Sequence, residues 1–181
     1  MNKKGKYQYD HFIHPVNTEH HEDAEIDILF LHGNKSHPIN CWMKMPDDNQ
    51  HCETNPNIWL HDLLPEDLKG YKARVMFGGY ETLHTVADHR NNNIPNWGIE
   101  KMNEVLVASM ERAGVGERPL VVVSFSMGGI LIKKILSSQK GKPIEKNCHS
   151  VLFIATPHSG SDLIEQTFDA LKRIIPGSNQ F

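Results

Sequence analysis

Leu-Val-Val-Val-Ser-Phe-Ser-Met-Gly-Gly, residues 120–129, is the stretch of this chain that decides the fold. Its first four residues form a continuous apolar run, which is typical of a strand buried on both faces of a parallel sheet. A helical stripe follows without a polar loop and consists of Ile130, Leu131, Ile135 and Leu136. A strand that runs directly into a helix needs a very sharp turn, and Ser126 lies at its centre.

Strand and helix patterns alternate on both sides of this stretch. The other strand candidates are Ile26–Leu31, Ala73–Phe77 and Val151–Ala155. The other helix candidates are Ile58–Leu68, a well-patterned segment from Met102 to Ala113 that ends before Gly114, and a last helix with Leu163, Ile164, Phe168, Leu171 and Ile175. This order predicts a three-layer α/β sandwich with a mostly parallel sheet and right-handed crossovers. We expect residues 1–25 to be a polar N-terminal arm and residues 26–181 to be the domain.

Composition excludes several classes of protein. The chain has 181 residues, 39% of them apolar, and a net charge of −3, which suits one globular domain. Its pI near 6.4 argues against a nucleic-acid partner, because nucleic-acid-binding domains usually have a pI above about 9. No apolar run approaches the roughly 20 residues of a membrane-spanning helix, and no signal-peptide core follows Met1–Lys6. Cys41, Cys52 and Cys148 are odd in number and widely spaced, which favours reduced thiols inside the cell.

The turn at Ser126 has the pattern of a nucleophile elbow, in which a serine hydroxyl stands at the crest of a strand-to-helix turn. Small side chains are needed two residues before and after the nucleophile, and here these are Ser124 and Gly128. The helix that begins beside Ser126 directs free N–H groups at the place where an oxyanion would form, and Met127 is the expected donor. The alternative interpretation is a tight turn without catalytic meaning.

The loop after the first strand, His32-Gly33-Asn34, supplies a second candidate donor. Carboxyl ends of parallel strands meet at one edge of the sheet, so this loop is expected beside Ser126. The backbone N–H of Asn34 would then complete an oxyanion hole. The alternative is a plain turn at the end of a strand.

Several ordered blocks resemble the serine-active-site-containing (SERAC-type) lipase-like α/β-hydrolases. They are YDHFIHP (9–15), IDILFLHG (26–33), Cys41-Trp42, Ile58-Trp59-Leu60, residues 111–136 and VLFIATPHSGS (151–161). The resemblance implies an α/β-hydrolase fold, Ser126 as nucleophile and an acyl-ester or phospholipid substrate. It also implies a role in phosphatidylglycerol remodelling at mitochondrial or endoplasmic-reticulum membranes, with peripheral membrane contact.

An α/β-hydrolase carries its acid and then its histidine after the nucleophile. Residues 127–181 are already assigned to a helix, a strand and a further helix, so we expect the strands that bear this acid and histidine to be absent from the chain. His158, with Asp162 four residues on, is a surrogate base and acid, although a structural turn is the favoured interpretation of Thr156–Gly160.

Two functions therefore stay open. The first is a serine ester hydrolase, and the second is a truncated, non-catalytic isoform or fragment that serves as an interaction module. In either case a sheet without its last strands would expose an apolar edge, for which we expect a protein partner or poor solubility.

The remaining motifs give weaker indications of function. His37, Cys41, His51, Cys52 and His61 lack the paired spacing of zinc sites, so we expect no metal, and nothing indicates a cofactor. Four lysines could touch anionic lipid, although cations late in a helix also favour its negative end; they are Lys133, Lys134, Lys140 and Lys142. Residues 113–116 (AGVG) do not follow a strand, which disfavours nucleotide binding.

Overall fold

The structure is a computed structural model, and it describes residues 10, 12–16, 23–33, 36–42, 60, 64–68, 70–80 and 99–159. The strands are β1 (Ile13–Pro15), β2 (Ile26–Leu31), β3 (Ala73–Gly78), β4 (Leu120–Phe125) and β5 (Cys148–Ile154). The helices are α1 (Leu64–Asp67), α2 (Ile99–Arg112), α3 (Met127–Ser137) and α4 (Lys142–Asn147), and a 3₁₀ turn covers Asn40–Trp42.

The described strands form one five-stranded sheet in the order β1-β3-β2-β4-β5. β2 runs parallel to β3 and β4, β5 runs parallel to β4, and β1 pairs antiparallel with β3. The expected α/β class with a mostly parallel sheet is confirmed. In this register Leu31 at the end of β2 lies opposite Ser124 near the end of β4, so the loops after both strands emerge at the same edge.

Apolar side chains cover both faces of the sheet. Alternate residues of β2 point to opposite faces, so Leu29 and Leu31 join the cluster that packs under α2 and α3, while Phe30 faces the other way. The second face packs a smaller cluster around Trp42 and Leu60. Burial on both faces explains why the strands appear in the sequence as unbroken apolar runs.

The best-patterned helix is confirmed as α2. Leu106, Val107 and Met110 are buried on its inner side, and Gly114 has φ +67°, the left-handed conformation that ends a helix. The last predicted helix, from Leu163 to Ile175, lies outside the described residues. Of the predicted helix Ile58–Leu68, the described part contains Leu60 and α1.

Two elements were not expected. β1 lies inside the predicted N-terminal arm, where it is too short to show a strand period, and its Ile13 is fully buried. The start of the fold at Ile26 was therefore placed too late. α4 follows α3 after Gly141 and anchors Ile144 in the core. Its six residues make fewer than two turns, too few to show an apolar stripe.

At the amino ends of the strands, β2 and β3 bury an ion pair inside the sheet. Arg74 donates to both carboxylate oxygens of Asp27, from Nε at 2.8 Å and from Nη2 at 2.7 Å, and both side chains are fully buried. Arg118 Nη1 lies 3.3 Å from Asp27 Oδ1. Arg74 Nη1 also donates to the carbonyl of Ala113 just after α2. We call Asp27, Arg74 and Arg118 the amino-end charge cluster.

At the other side of the sheet β5 is the outermost described strand. Leu152, Phe153 and Ile154 are 55%, 37% and 40% exposed, respectively. A protein partner that covers these side chains stays a prediction.

Candidate active site

Ser126 adopts a strained backbone conformation between β4 and α3. Its φ of 52° and ψ of −120° lie in a region that a non-glycine residue occupies at a cost of about 1–3 kcal/mol. Hydrogen bonds hold the turn on both sides. The Ser126 N–H donates to the Ile154 carbonyl of β5 at 2.8 Å, and the Gly129 N–H donates to the Ser126 carbonyl at 3.1 Å.

The residues around Ser126 are small because backbone passes close to them. A Cβ on Gly128 would lie 2.5 Å from the His32 carbonyl oxygen, and one on Gly129 would overlap the side chain of Thr156. Ser124 is fully buried and its hydroxyl donates to the Leu152 carbonyl at 3.1 Å. The serine at this position therefore ties β4 to β5 as well as satisfying the need for a small side chain.

The loop after β2 meets the turn directly. A Cβ on Gly33 would lie 2.9 Å from the Cβ of Ser126 and 2.9 Å from the ring of Phe125. Only glycine fits between these side chains and the loop. The expected neighbourhood of the two loops is thus present, although Asn34 itself lies outside the described residues.

Helix α3 begins at Met127, so its first N–H groups have no acceptor within the helix. We find no hydrogen bond from the Met127 N–H to any described residue. The partial positive charge of a helix N-terminus adds to this free donor. A negative charge that develops beside Ser126 would therefore be stabilised.

His32 and Tyr80 form a buried pair behind this loop. The His32 ring stacks on the Tyr80 ring with centroids 4.2 Å apart and planes 13° apart. His32 Nδ1 lies 2.8 Å from the Gly33 carbonyl oxygen, and the Tyr80 N–H donates to His32 Nε2 at 3.2 Å. Because a carbonyl only accepts and an N–H only donates, the ring is the neutral tautomer with its proton on Nδ1.

Burial lowers the pKa of His32 to about 4, and the nearby His37 lowers it further, against the hydrogen bond to the Gly33 carbonyl, which raises it. His32 is therefore neutral at physiological pH. Both of its ring nitrogens are engaged, so His32 is not available to accept a proton from Ser126.

Comparison with curated proteins finds matches across nearly all of this chain. Protein SERAC1 of Homo sapiens is 26% identical over 187 residues, which cover 94% of this chain and 27% of the human protein. The chain is thus distantly similar to Protein SERAC1. Protein SERAC1 of Danio rerio is 27% identical with 94% of this chain and 28% of its own length covered, and that of Bos taurus is 28% identical with 86% and 25% covered. The expected resemblance is confirmed.

The chain spans about a quarter of the length of the curated relatives it matches. No protein-family model matches it. No solved structure matches it either.

His158, the candidate base, lies on the exposed side of α3. Its Nδ1 is 3.3 Å from Lys133 Nζ, and its ring packs edge-on against Phe153 with centroids 4.8 Å apart. Between described residues we find no hydrogen bond from His158 to Ser126. Asp162, its candidate acid, lies outside the described residues.

The remaining candidates have structural partners where they are described. Lys134 pairs with Glu100, Lys140 with Glu104, and Lys142 with Glu145, as expected for solvated helix surfaces. Cys41 and Cys148 are free thiols.

His51, Cys52 and His61 lie outside the described residues. Among those described, no group of three or more His, Cys, Asp or Glu side chains is placed to hold a metal ion. No helix in the described part is long and apolar enough to cross a bilayer.

The sequence patterns indicated the turn and the glycine loop of this candidate site but not Tyr80 and Ser36. Ser36 donates from Oγ to the Gly33 carbonyl at 2.9 Å. Tyr80 donates from its hydroxyl to the His32 carbonyl at 2.5 Å. A tyrosine after the Gly78-Gly79 pair, at the sheet edge that carries the site, was the one available signal.

Proposed function

We propose that this SERAC1-like chain is a serine ester hydrolase of the α/β-hydrolase type, with Ser126 as nucleophile and the N–H groups of Met127 and Asn34 as oxyanion donors. The observation that carries the proposal is the strained Ser126 conformation at the first turn of α3, with Gly33 packed against it. Strain of this kind persists only where the surrounding structure imposes it, and it concentrates at functional sites.

In the proposed reaction Ser126 Oγ attacks the carbonyl carbon of an ester. A bond forms between Oγ and that carbon, and the carbonyl oxygen becomes an oxyanion that the two N–H groups receive. The bond to the alcohol oxygen then breaks, and the alcohol leaves with the proton that Ser126 gave up. Water hydrolyses the acyl-serine in the second half-reaction. Each oxyanion donor contributes about 3 kcal/mol to the stability of the transition state.

The substrate class that we propose is an acyl ester, and a phospholipid is the member of that class that the resemblance implies. Phe153 and Ile154 support an apolar acyl group, because both are exposed and Ile154 hydrogen bonds to Ser126 through its carbonyl. A peripheral membrane contact through the same side chains belongs to the proposal.

The surrogate base His158 is the least supported part of the proposed site. If Lys133 donates to His158 Nδ1, the neutral ring carries its proton on Nε2. A base that takes a proton from Ser126 through Nε2 needs the opposite tautomer. This geometry supports a structural role for His158.

A fluorophosphonate probe tests the nucleophile, because it forms a covalent bond with an activated serine. The unaltered chain should be labelled at Ser126, as located by peptide mass spectrometry. Ser126→Ala should abolish the labelling, whereas the matched variant Ser137→Ala should keep it, because Ser137 is an exposed serine on the same helix. A folded chain that stays unlabelled would refute the proposed function and leave the interaction module as the better explanation.

A further inference from the structure

Tyr80 is buried shortly after the end of β3 and makes three contacts with His32. Its N–H donates to His32 Nε2 at 3.2 Å, its ring stacks on the His32 ring, and its hydroxyl donates to the His32 carbonyl oxygen at 2.5 Å. Burial raises the pKa of the Tyr80 phenol, so the hydroxyl keeps its proton and acts as a donor. The carbonyl oxygen of a fully buried residue thus has a hydrogen-bond donor.

The same carbonyl oxygen lies against the first turn of α3. A Cβ on Gly128 would lie 2.5 Å from it and 2.8 Å from the Leu31 carbonyl oxygen, so the end of β2 and the start of the helix meet backbone to backbone. Gly128 is two positions after Ser126, and the Gly129 N–H donates to the Ser126 carbonyl at 3.1 Å. The His32 carbonyl therefore limits where the turn that carries Ser126 can lie.

The Tyr80 hydroxyl also satisfies a carbonyl that would otherwise need another donor. A buried carbonyl without a donor costs free energy, so it shifts toward a free N–H beside it. The first turn of α3, against which the His32 carbonyl lies, has such donors, because the Met127 N–H has no backbone acceptor among the described residues. With Tyr80 as its donor, the carbonyl has no need of a helix N–H.

We propose that Tyr80 is a positioning residue for the proposed ester hydrolysis: its hydroxyl holds the His32 carbonyl against Gly128 and thereby fixes the first turn of α3 around Ser126. This inference rests on the proposed function and deepens it. Tyr80 touches no reacting atom in this role and acts through the backbone of His32 and Gly128. Preorganised donors stabilise developing charge without reorientation during the reaction, so a turn that is held less firmly reacts more slowly.

Tyr80→Phe tests this role, because it removes the hydroxyl and keeps both the stacked ring and the N–H that bonds to His32. Tyr71→Phe is the matched control, since Tyr71 is 69% exposed and loses the same hydroxyl at the surface. The measurement is the second-order rate of Ser126 labelling by a fluorophosphonate, well below the thermal midpoint of every variant. We expect Tyr80→Phe to label about 30-fold more slowly, a smaller loss than the roughly 10²–10³-fold typical of an oxyanion donor itself. Tyr71→Phe should stay within about twofold of the unaltered chain.

A double-mutant cycle with Gly128→Ala tests whether Tyr80 acts through the His32 carbonyl. The added methyl group would lie 2.5 Å from that oxygen and therefore displaces it from the side of α3. If both substitutions act on this one contact, their losses do not multiply, and the double variant labels within about threefold of the slower single variant. Losses that multiply would overturn the positioning role.

Amide hydrogen exchange is a second measurement, which needs neither labelling nor the Gly128 variant. We expect Tyr80→Phe to speed exchange of the Gly129 N–H, which bonds to Ser126, about tenfold. The amide of the buried Leu106 in α2 should exchange at an unchanged rate. Equal acceleration at both amides would indicate a merely structural tyrosine and would overturn the proposal, as would an unchanged rate at Gly129.

The outcomes also separate this inference from the function on which it rests. A Tyr80→Phe rate within about threefold of a well-labelled unaltered chain would overturn the positioning role and leave Ser126 as nucleophile. A folded unaltered chain that stays unlabelled would overturn both.

Discussion

The two ends of the parallel sheet both bury polar side chains beside the same strands, but they treat charge in opposite ways. At the amino end, the charge cluster pairs Asp27 with two arginines, and Arg74 also donates to the carbonyls of Ala113 and Gly114 that follow α2. The negative end of that helix therefore meets a cation. At the amino end, the Asp27 carboxylate and the two arginines thus compensate each other's charge.

At the carboxyl end, the buried His32 is neutral, and the Met127 N–H at the start of α3 has no backbone hydrogen bond to a described residue. Ser126 at this end keeps a strained backbone conformation with a φ of 52°. The difference teaches that burial of polar groups alone does not mark a site. The carboxyl end is distinguished by a helix N–H without a described acceptor beside a serine in a strained conformation.

We expect the largest effect on stability from a substitution in the amino-end charge cluster. Arg74→Met leaves the Asp27 carboxylate buried with one arginine, so we expect a loss of about 3–5 kcal/mol in the free energy of unfolding. Urea unfolding measures it. The control Asp27→Leu with Arg74→Met removes both charges and should recover most of that loss. If the Arg74→Met variant is as stable as the unaltered chain, Arg74 does not stabilise the buried Asp27 carboxylate.

The next effect is a pH dependence of the free energy of unfolding, which we expect from His32 at the carboxyl end of the sheet. His32 has a folded pKa of about 4, below the ordinary value of 6.5, so the unfolded chain binds its proton first as the pH falls. Stability is therefore full above about pH 6.5 and decreases by about 3 kcal/mol down to about pH 4. Urea unfolding between these pH values should show a steeper loss for the unaltered chain than for His32→Asn, which does not titrate. Parallel losses would contradict the assignment.

A smaller effect tests the strain at Ser126. Ser126→Gly removes the side chain from a positive-φ position, so we expect a gain of about 1 kcal/mol in the free energy of unfolding together with complete loss of labelling. The same substitution at Ser137, the last residue of α3, should instead lose up to about 0.5 kcal/mol. If Ser126→Gly is destabilised like its control, the turn is not strained.

The smallest effect is expected at His158. Because it bonds to Lys133 and not to Ser126, His158→Ala should change the labelling rate by less than threefold. Lys133→Ala is the matched control and should behave in the same way. A loss above about 100-fold for His158→Ala alone would establish His158 as the general base after all, since such bases contribute about 10²–10⁴-fold.

Local patterns predicted the strands, α2 and the turn at Ser126, because each is encoded by a run of neighbouring residues with one period or one kind of side chain. The chemistry predicted for the turn, with Ser126 as nucleophile, stays a prediction. Ser124 was understood only as small, whereas its hydroxyl bonds across to β5.

The missed features all depend on partners far along the chain. Asp27 is one charge within an apolar run, and its partner Arg74 lies 47 positions later. His32 meets Tyr80 across 48 positions. No local period reports such contacts, because they arise only when the strand order brings β2 and β3 side by side. β1 escaped notice for a related reason, since pairing with β3 defines it more than its own three residues do.

The hydrogen bond from the Ser126 N–H to the Ile154 carbonyl has a consequence for biosynthesis. β5 follows the turn in the chain, so this hydrogen bond can form only after β5 has been synthesised and has paired with β4. We expect the dihedral angles of Ser126 to be held less firmly before that point. The conformation of Ser126 is thus coupled to the addition of β5 to the described sheet.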